Sequence, residues 1–365
     1  MSKLPVKRRS AEWFGTVDKN GFMIAPLNNG NWRTFMIDHL ARRNFLRLAV
    51  LTGVSGISAE AWAKNVTLRF STPASPTEAS ALALNSIFAD GVKDFATFEP
   101  HYSATLFKQG TELEAVARGN LEMAMPSAQE IAALIPSWSI FTAGYLLRDA
   151  DHQRAVFHSD IGKEMYKLVE DKLGAKILTV FYLGRRHLNL RGTRQINTPA
   201  DLASVTLRMP NSAAWQFLGN ALGASPAPMA ITEVYTALQT GAIDGQDNPL
   251  PTNREFKFYE VTNQIVLTGH LVDMNFLAIS KAVWNGFTAQ QQKAVMTAAE
   301  ACADSIRAKR LADEEELVTF FKKQGLKVYT PDVGAFRSRV QGMYLKSNFA
   351  KDWPVGMVDR INAIK

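Results

Sequence analysis

Two segments of this chain are built alike, and that likeness limits the fold more than any other feature. "AVARGNLEMAMPS" starts at Ala115, and "ALQTGAIDGQDNP" starts about 120 residues later at Ala237. Each runs Ala, an aliphatic residue, two others, Gly, one residue, Leu or Ile, and then an acid. Gly119 and Gly241 stand where a helix ends on a left-handed residue, a conformation that glycine adopts at little steric cost. A short apolar strand is expected after each glycine, at residues 242–244 in the second copy. A helix–glycine–strand unit occurring twice implies two similarly built lobes.

The rest of the pattern fits an α/β chain. In "VTLRFS", Val66, Leu68 and Phe70 alternate with polar residues at the period of a strand. The turn-rich "TPASPTEA" follows, then an alanine-rich helix expected over 78–89. "GAKILTVFY" (174–182) and "SVTLRMP" (204–210) read as further strands, with helical stretches between them. Strands alternating with helices argue largely parallel sheets.

Near the C-terminus, Thr288 with Gln291 three residues later forms a capping-box signature. Val295, Ala299, Cys302, Ile306, Leu317 and Phe321 recur at helical spacing, and Gly325 offers the stop. A helix of about 36 residues reaches roughly 55 Å, enough to brace both lobes. Cys302 is the one cysteine, so no internal disulfide or multi-cysteine zinc site exists; on an apolar face it belongs to the core.

The formal charge of +7 invites a nucleic-acid or membrane partner until it is located. Residues 1–63 carry nine Lys/Arg against four Asp/Glu, leaving only +2 on the rest. The body therefore has no excess that argues for nucleic acid. In "ARRNFLRLAVLTGVSGISAEAWAKN" the pair Arg42-Arg43 precedes an apolar run at 48–58 and the A-x-A site Ala61-Trp62-Ala63. This order reads as a twin-arginine export signal, with a run too short to span a bilayer. Upstream, "KRRSAEWFGTVDKNGFM" resembles the opening of sugar-acid dehydratases. The expected organisation is therefore an N-terminal extension and export signal over 1–63, one lobe mainly over 64–190, and a second mainly over 191–280. The long helix and a C-terminal segment returning across both lobes would fill 281–365.

Several chemistries can be weighed on residues alone. Asp244, Gln246, Asn248 and Glu255 mimic the calcium-loop positions 1, 3, 5 and 12. Position 6 needs a positive φ, and Pro249 cannot supply it. No G-x-S-x-G elbow or G-x-x-x-x-G-K-[ST] loop is present, and no nucleophile, base and orienter assemble. Anion binding fares better. Arg208 in "TLRMP" stands at a strand end, opposite in facing to Val205, Leu207 and Met209. Ligands of open α/β sheets bind at such ends, and a guanidinium grips a carboxylate bidentately. Arg185 and Arg186 follow the 174–182 strand, and Asn248 can donate to and accept from a ligand.

At these residues the chain resembles the solute-binding proteins of tripartite ATP-independent periplasmic (TRAP) transporters, of the dicarboxylate-binding type. The resemblance is carried by "DLASVTLRMPNSAAWQFLGNALGASPAPMAITEVYTALQTGAIDGQDNP", with support from "AVARGNLEMAM", "YLLRDADHQRAVF" and "KFYEVTNQIVLTGH". It covers the chain from about residue 65 to the C-terminus.

The resemblance implies a two-lobed, hinge-closing α/β periplasmic binding protein fold, type II-like, without catalytic activity. Its ligand would be an organic acid handed to TRAP membrane subunits, with the protein a monomer or homodimer and no cofactor or metal. It places the ligand-pairing arginine on Arg208, the loop asparagine on Asn248, and a second arginine on Arg186, with Arg185 as its alternative. Ser127, Thr72 and Trp215 would face the cleft, with Glu78 and Glu112 as weaker candidates. Asp247 stands where the family loop commonly has glutamate. An added acid there suits hydroxyl groups better than a second carboxylate. A sugar acid such as an aldonate or uronate is thus expected ahead of a C4-dicarboxylate.

Overall fold

The computed structural model describes residues 16–17, 23–24 and 66–365. The export-signal residues lie outside the described residues. The chain divides into two units, residues 1–61 and 62–365. In the first, β1 (Thr16–Val17) pairs antiparallel with β2 (Met23–Ile24).

The second unit carries the sheet. β3 (Val66–Ser71) buries Leu68 and Phe70 and lies parallel to β4 (Ala96–His101) and β5 (Met123–Ala124). The helical run that follows begins after Glu78; a π-helical turn at Leu84–Phe88 puts Leu84 and Phe88 into the core with Val92. At the other end, β7 (Thr206–Met209) lies parallel to β8 (Ser225–Pro228) and to β9 (Gly245–Pro249). Between these groups run two long antiparallel strands, β6 (Ala175–Leu190) and β10 (Gln264–Ser280). β11 (Lys327–Tyr329) adds to β10 in parallel. The order is β4-β3-β5-β10-β6-β9-β7-β8.

β6 and β10 belong to both lobes. The end of β10 pairs with β5 at Ala278 and Ile279, while Arg186–Leu190 of β6 pairs with β9. The segment expected to follow a strand at 182 is thus the second half of β6. The expected division at 190 falls at that strand's end, although pairing with the second lobe's β9 already begins at Arg186. The ladder slips between Asp273 and Met274, beside Gly184. Gly184 has φ 127°, and a Cβ there would stand 2.6 Å from Pro249 Cβ, so only glycine fits.

The expected strand at 242–244 is an irregular bend, and the strand is β9, GQDNP, despite its poor strand-forming residues. Position overrides propensity here. β9 is paired on both sides, and a Cβ on Gly245 would meet Leu190 Cδ2 at 2.3 Å. Asp244 ties the bend down: its Oδ2 accepts from Thr206 N at 2.8 Å and its carbonyl from Arg191 N at 2.8 Å.

The long helix is Ala289–Lys323, opened by the Thr288–Gln291 capping box. Its first half packs Val295, Ala299, Cys302 and Ile306 into the first lobe's core with Phe70 and Phe88. Its second half packs Leu317 and Phe321 against Leu250 and Ile265. Burial pushes the Cys302 thiol up to about 12, so it is an inert core residue. Arg310 ties the helix to both lobes, holding Glu78 at 2.7 Å and Glu255 at 3.1 Å.

Candidate functional site

A cleft of about 610 Å³, counting the open space at its mouth, lies where β3, β7 and β9 end against the middle of β6 and β10. The first lobe contributes Thr72, Ser127, Glu130 and Gln109. The second contributes Arg208, Trp215, Ile231 and Asn248, and the shared strands contribute Arg186, Asp273 and Asn275.

Arg208 is 1% exposed. Its Nε donates to Met229 O at 2.9 Å, and its Nη2 reaches Gln109 Oε1 at 3.5 Å. Among the described residues it forms no ion pair. Burial, and then the Arg186 charge, pull its guanidinium down to about 9. A guanidinium stays protonated at neutral pH, so this direction marks a buried cation with too little negative charge around it.

Arg186 is equally buried but fully matched. Its Nε meets Asp247 Oδ2 at 2.7 Å and its Nη1 meets Asp273 Oδ2 at 2.7 Å. The guanidinium lies 4.3 Å from the centre of the Trp215 ring, which is held by the Ser212-capped start of its helix. Burial alone would lower Arg186; the two carboxylates hold it above its ordinary value. Burial likewise opposes Asp247's charge, but Arg186 and a hydrogen bond from His270 keep its carboxyl well below the usual range. Asp273 goes the other way: burial outweighs Arg186 and raises it.

Asp247, expected toward the ligand, is fully buried and does not line the cleft. Successive strand residues face opposite ways. Asn248 therefore shares a face with Gln246, to which its amide donates, and Asp247 faces Arg186 and His270. Of the two arginines expected as alternatives, Arg186 lines the cleft, while Arg185 Nη2 donates to Arg148 O at 3.2 Å. Glu78 reaches the cleft wall and Glu112 does not.

Polar cleft residues that went unread in the sequence include Gln109, Glu130, Asp273 and Asn275. Glu130 carried a signal. "SAQE" at Ser127 is a capping box; Ser127 N donates to Glu130 Oε2 at 2.7 Å and Glu130 N to Ser127 Oγ at 3.2 Å. Burial raises the Glu130 carboxyl. Asn275 and Asp273 sit inside an apolar 17-residue strand, where one polar residue does not announce its facing. The Asn275 carboxamide has no hydrogen-bond partner among the described residues.

Burial, with Glu130 adding to it, pushes Glu112 up to about 8; burial and Glu78 do the same for Glu255. The ordinary carboxyl value for each is 4.5. A folded value above the unfolded one favours the protonated fold, so this stability is complete below the unfolded value. It is lost as pH rises toward about 8. The thermal midpoint should therefore fall between about pH 5 and pH 8.5, and Glu112→Gln should flatten part of the fall. A midpoint that rises across this window in both proteins would contradict the assignment.

Two lobes sharing two long strands, with an arginine in the cleft between them that has no ion pair among the described residues, define a ligand-capturing binding protein. Residues 70–352 match the family model "Bacterial extracellular solute-binding protein, family 7", and the chain belongs to that family of TRAP periplasmic solute-binding proteins. The sialic acid-binding periplasmic protein of Vibrio cholerae is 33% identical over 242 residues, 66% of this chain and 75% of that protein. The 2,3-diketo-L-gulonate-binding periplasmic protein of Escherichia coli is 27% identical over 318 residues, 86% of this chain and 95% of that one. A TRAP periplasmic solute-binding protein from Roseobacter denitrificans, solved with bound 3-deoxy-D-manno-oct-2-ulosonic acid, is 56% identical. Its fold matches with a TM-score of 0.82 over 83% of this chain and 100% of that one.

Proposed function

We propose that this protein captures a polyhydroxylated monocarboxylate, a sugar acid of the ulosonate or aldonate kind, and hands it to the membrane subunits of a TRAP transporter. One observation carries the reading: Arg208 is a buried guanidinium without a carboxylate among the described residues. A ligand carboxylate completes it. Thr72, Ser127, Asn248, Arg186 and Trp215 form the surrounding contacts in this reading, with Asp247 acting through Arg186.

The same geometry ranks the ligands. A C4-dicarboxylate needs a second free cation, and Arg186 is already matched by Asp247 and Asp273. The cleft also presents Glu130, Asp273 and Asn275, groups that suit hydroxyls better than a second carboxylate. The ulosonic acid held by the 56% identical relative fits both features. The protein acts without turnover, as a monomer or homodimer, in the periplasm, after export through the twin-arginine signal at 42–63.

A thermal-shift screen tests the reading. At 100 times its dissociation constant a ligand adds about 2.7 kcal/mol of stability. We expect shifts with 3-deoxy-D-manno-oct-2-ulosonate, gluconate, galactonate or glucuronate, and the bound compound recovered unchanged by mass spectrometry. Shifts with succinate or malate and with no sugar acid would overturn the ligand class. Chemical conversion of the ligand would overturn the binding role.

A further inference from the structure

One side chain joins the lobes across the mouth of the cleft. Gln109 lies on the first-lobe loop between β4 and the helix Glu112–Ala117. It is half-buried, while Lys108 and Gly110 on either side are exposed. Its carboxamide oxygen accepts at 3.0 Å from Ile231 N, the first residue of the second-lobe helix Ile231–Thr240. The same oxygen stands 3.5 Å from Arg208 Nη2.

A helix start leaves its first backbone N–H groups without intrahelical partners. Here the capping position is Ala230, whose side chain accepts nothing. Gln109 thus supplies from the opposite lobe a cap that the second lobe lacks. The loop that carries it is fixed to the first lobe. Ser103 N donates to Ala74 O at 2.8 Å and Ala104 N to Thr72 O at 3.0 Å. Ser103 and Ala104 are held at φ 54° and 57°, a left-handed pair that non-glycine residues rarely adopt. Gly110 N donates to Glu112 Oε2 at 2.7 Å, tying the loop to the first-lobe helix that follows it.

We propose that Gln109 is a positioning residue that latches the lobes at the carboxylate end of the cleft and sets the rate at which ligand escapes. The proposal rests on Arg208 being the ligand's anchor. A neutral oxygen satisfies the helix start and steadies Arg208 without cancelling its charge, which stays available to the ligand. A carboxylate at this position would pair with Arg208 and with the positive helix start together. It would draw the empty lobes shut and compete with the ligand.

The test uses Gln109→Ala, Gln109→Asn and Gln109→Glu, with 3-deoxy-D-manno-oct-2-ulosonate as the probe. Stopped-flow rates are measured beside spin-label distances between Arg118→Cys and Thr240→Cys, one site on each lobe. Gln109→Ala and the shorter Gln109→Asn should both raise the probe's dissociation rate about tenfold, the order of one well-made hydrogen bond. Association should change less than twofold, and ligand-free distances should lengthen. Gln109→Glu should shorten the ligand-free distances and weaken probe binding by at least tenfold. Dissociation within twofold of wild type in Gln109→Ala, or ligand-free distances unmoved in Gln109→Glu, overturns the latch. If wild type does not bind the probe, the ligand reading fails instead, and the ligand-free distances alone decide the latch.

Discussion

Replacing Arg208 with alanine is expected to lower ligand affinity by hundreds- to thousands-fold while leaving the ligand-free protein at least as stable as the wild type. The two halves of this result have one cause. In this structure the guanidinium is 1% exposed, donates to Met229 O, and has no carboxylate among the described residues. Such a cation carries its desolvation cost uncompensated. When a ligand carboxylate enters, the pair is completed away from water. Breaking a buried pair of this kind costs roughly 3–5 kcal/mol, which is the stated loss of affinity at about 1.4 kcal/mol per tenfold.

Removing the cation from the empty protein removes the burden instead, so the usual exchange of stability for function appears at one residue. Arg208→Lys should recover little. An ammonium is a point charge and cannot hold Met229 O and both carboxylate oxygens in one plane. Calorimetry with a sugar acid found by the thermal-shift screen, together with thermal denaturation without ligand, reads both halves. An affinity within tenfold of wild type, or a ligand-free midpoint lowered by several degrees, would be incompatible with this account.

Arg208 was legible in the sequence because strand alternation and the following proline place it. Gly119 and Gly241 were legible for a similar reason: each ends a helix, with φ of 75° and 82°. The long helix announced itself through its capping box and its apolar spacing. What stayed hidden depends on pairing between distant segments. β9 is a strand because β6 and β7 flank it, not because GQDNP favours one. Asp247 was expected toward the ligand because it stands where the family loop commonly has glutamate, yet in a strand it faces away from its neighbour Asn248. Glu130, Asp273 and Asn275 acquire meaning only once β10 and the helix at Ser127 are brought together at the cleft. Gln109 stands on a loop with no periodicity at all, and only its partners in the other lobe distinguish it.

Replacing Arg186 with alanine should act with the opposite sign on stability. Arg186 and Arg208 line the same cleft and are similarly buried, 2% and 1% exposed. Arg186, however, is the cation of Asp247 and Asp273, both buried. Its loss leaves two carboxyls buried without their charge partner, a change worth about 3–5 kcal/mol of destabilisation. For a chain of this length that lowers the thermal midpoint by on the order of ten degrees. The pH dependence follows from the signs. In wild type, Arg186 and His270 hold Asp247 below its ordinary value, so its contribution is present at neutral pH and is lost only as pH falls into strong acid. In the variant the orphaned carboxyls are raised by burial, so the fold is favoured by protonation and weakens as pH rises above about 4. The gap between the two proteins should therefore be widest near pH 7 and narrow toward pH 4.5. Denaturation of both across that range, without ligand, measures it. A variant as stable as wild type at pH 7, or a gap that widens on acidification, would show that Asp247 and Asp273 do not depend on Arg186.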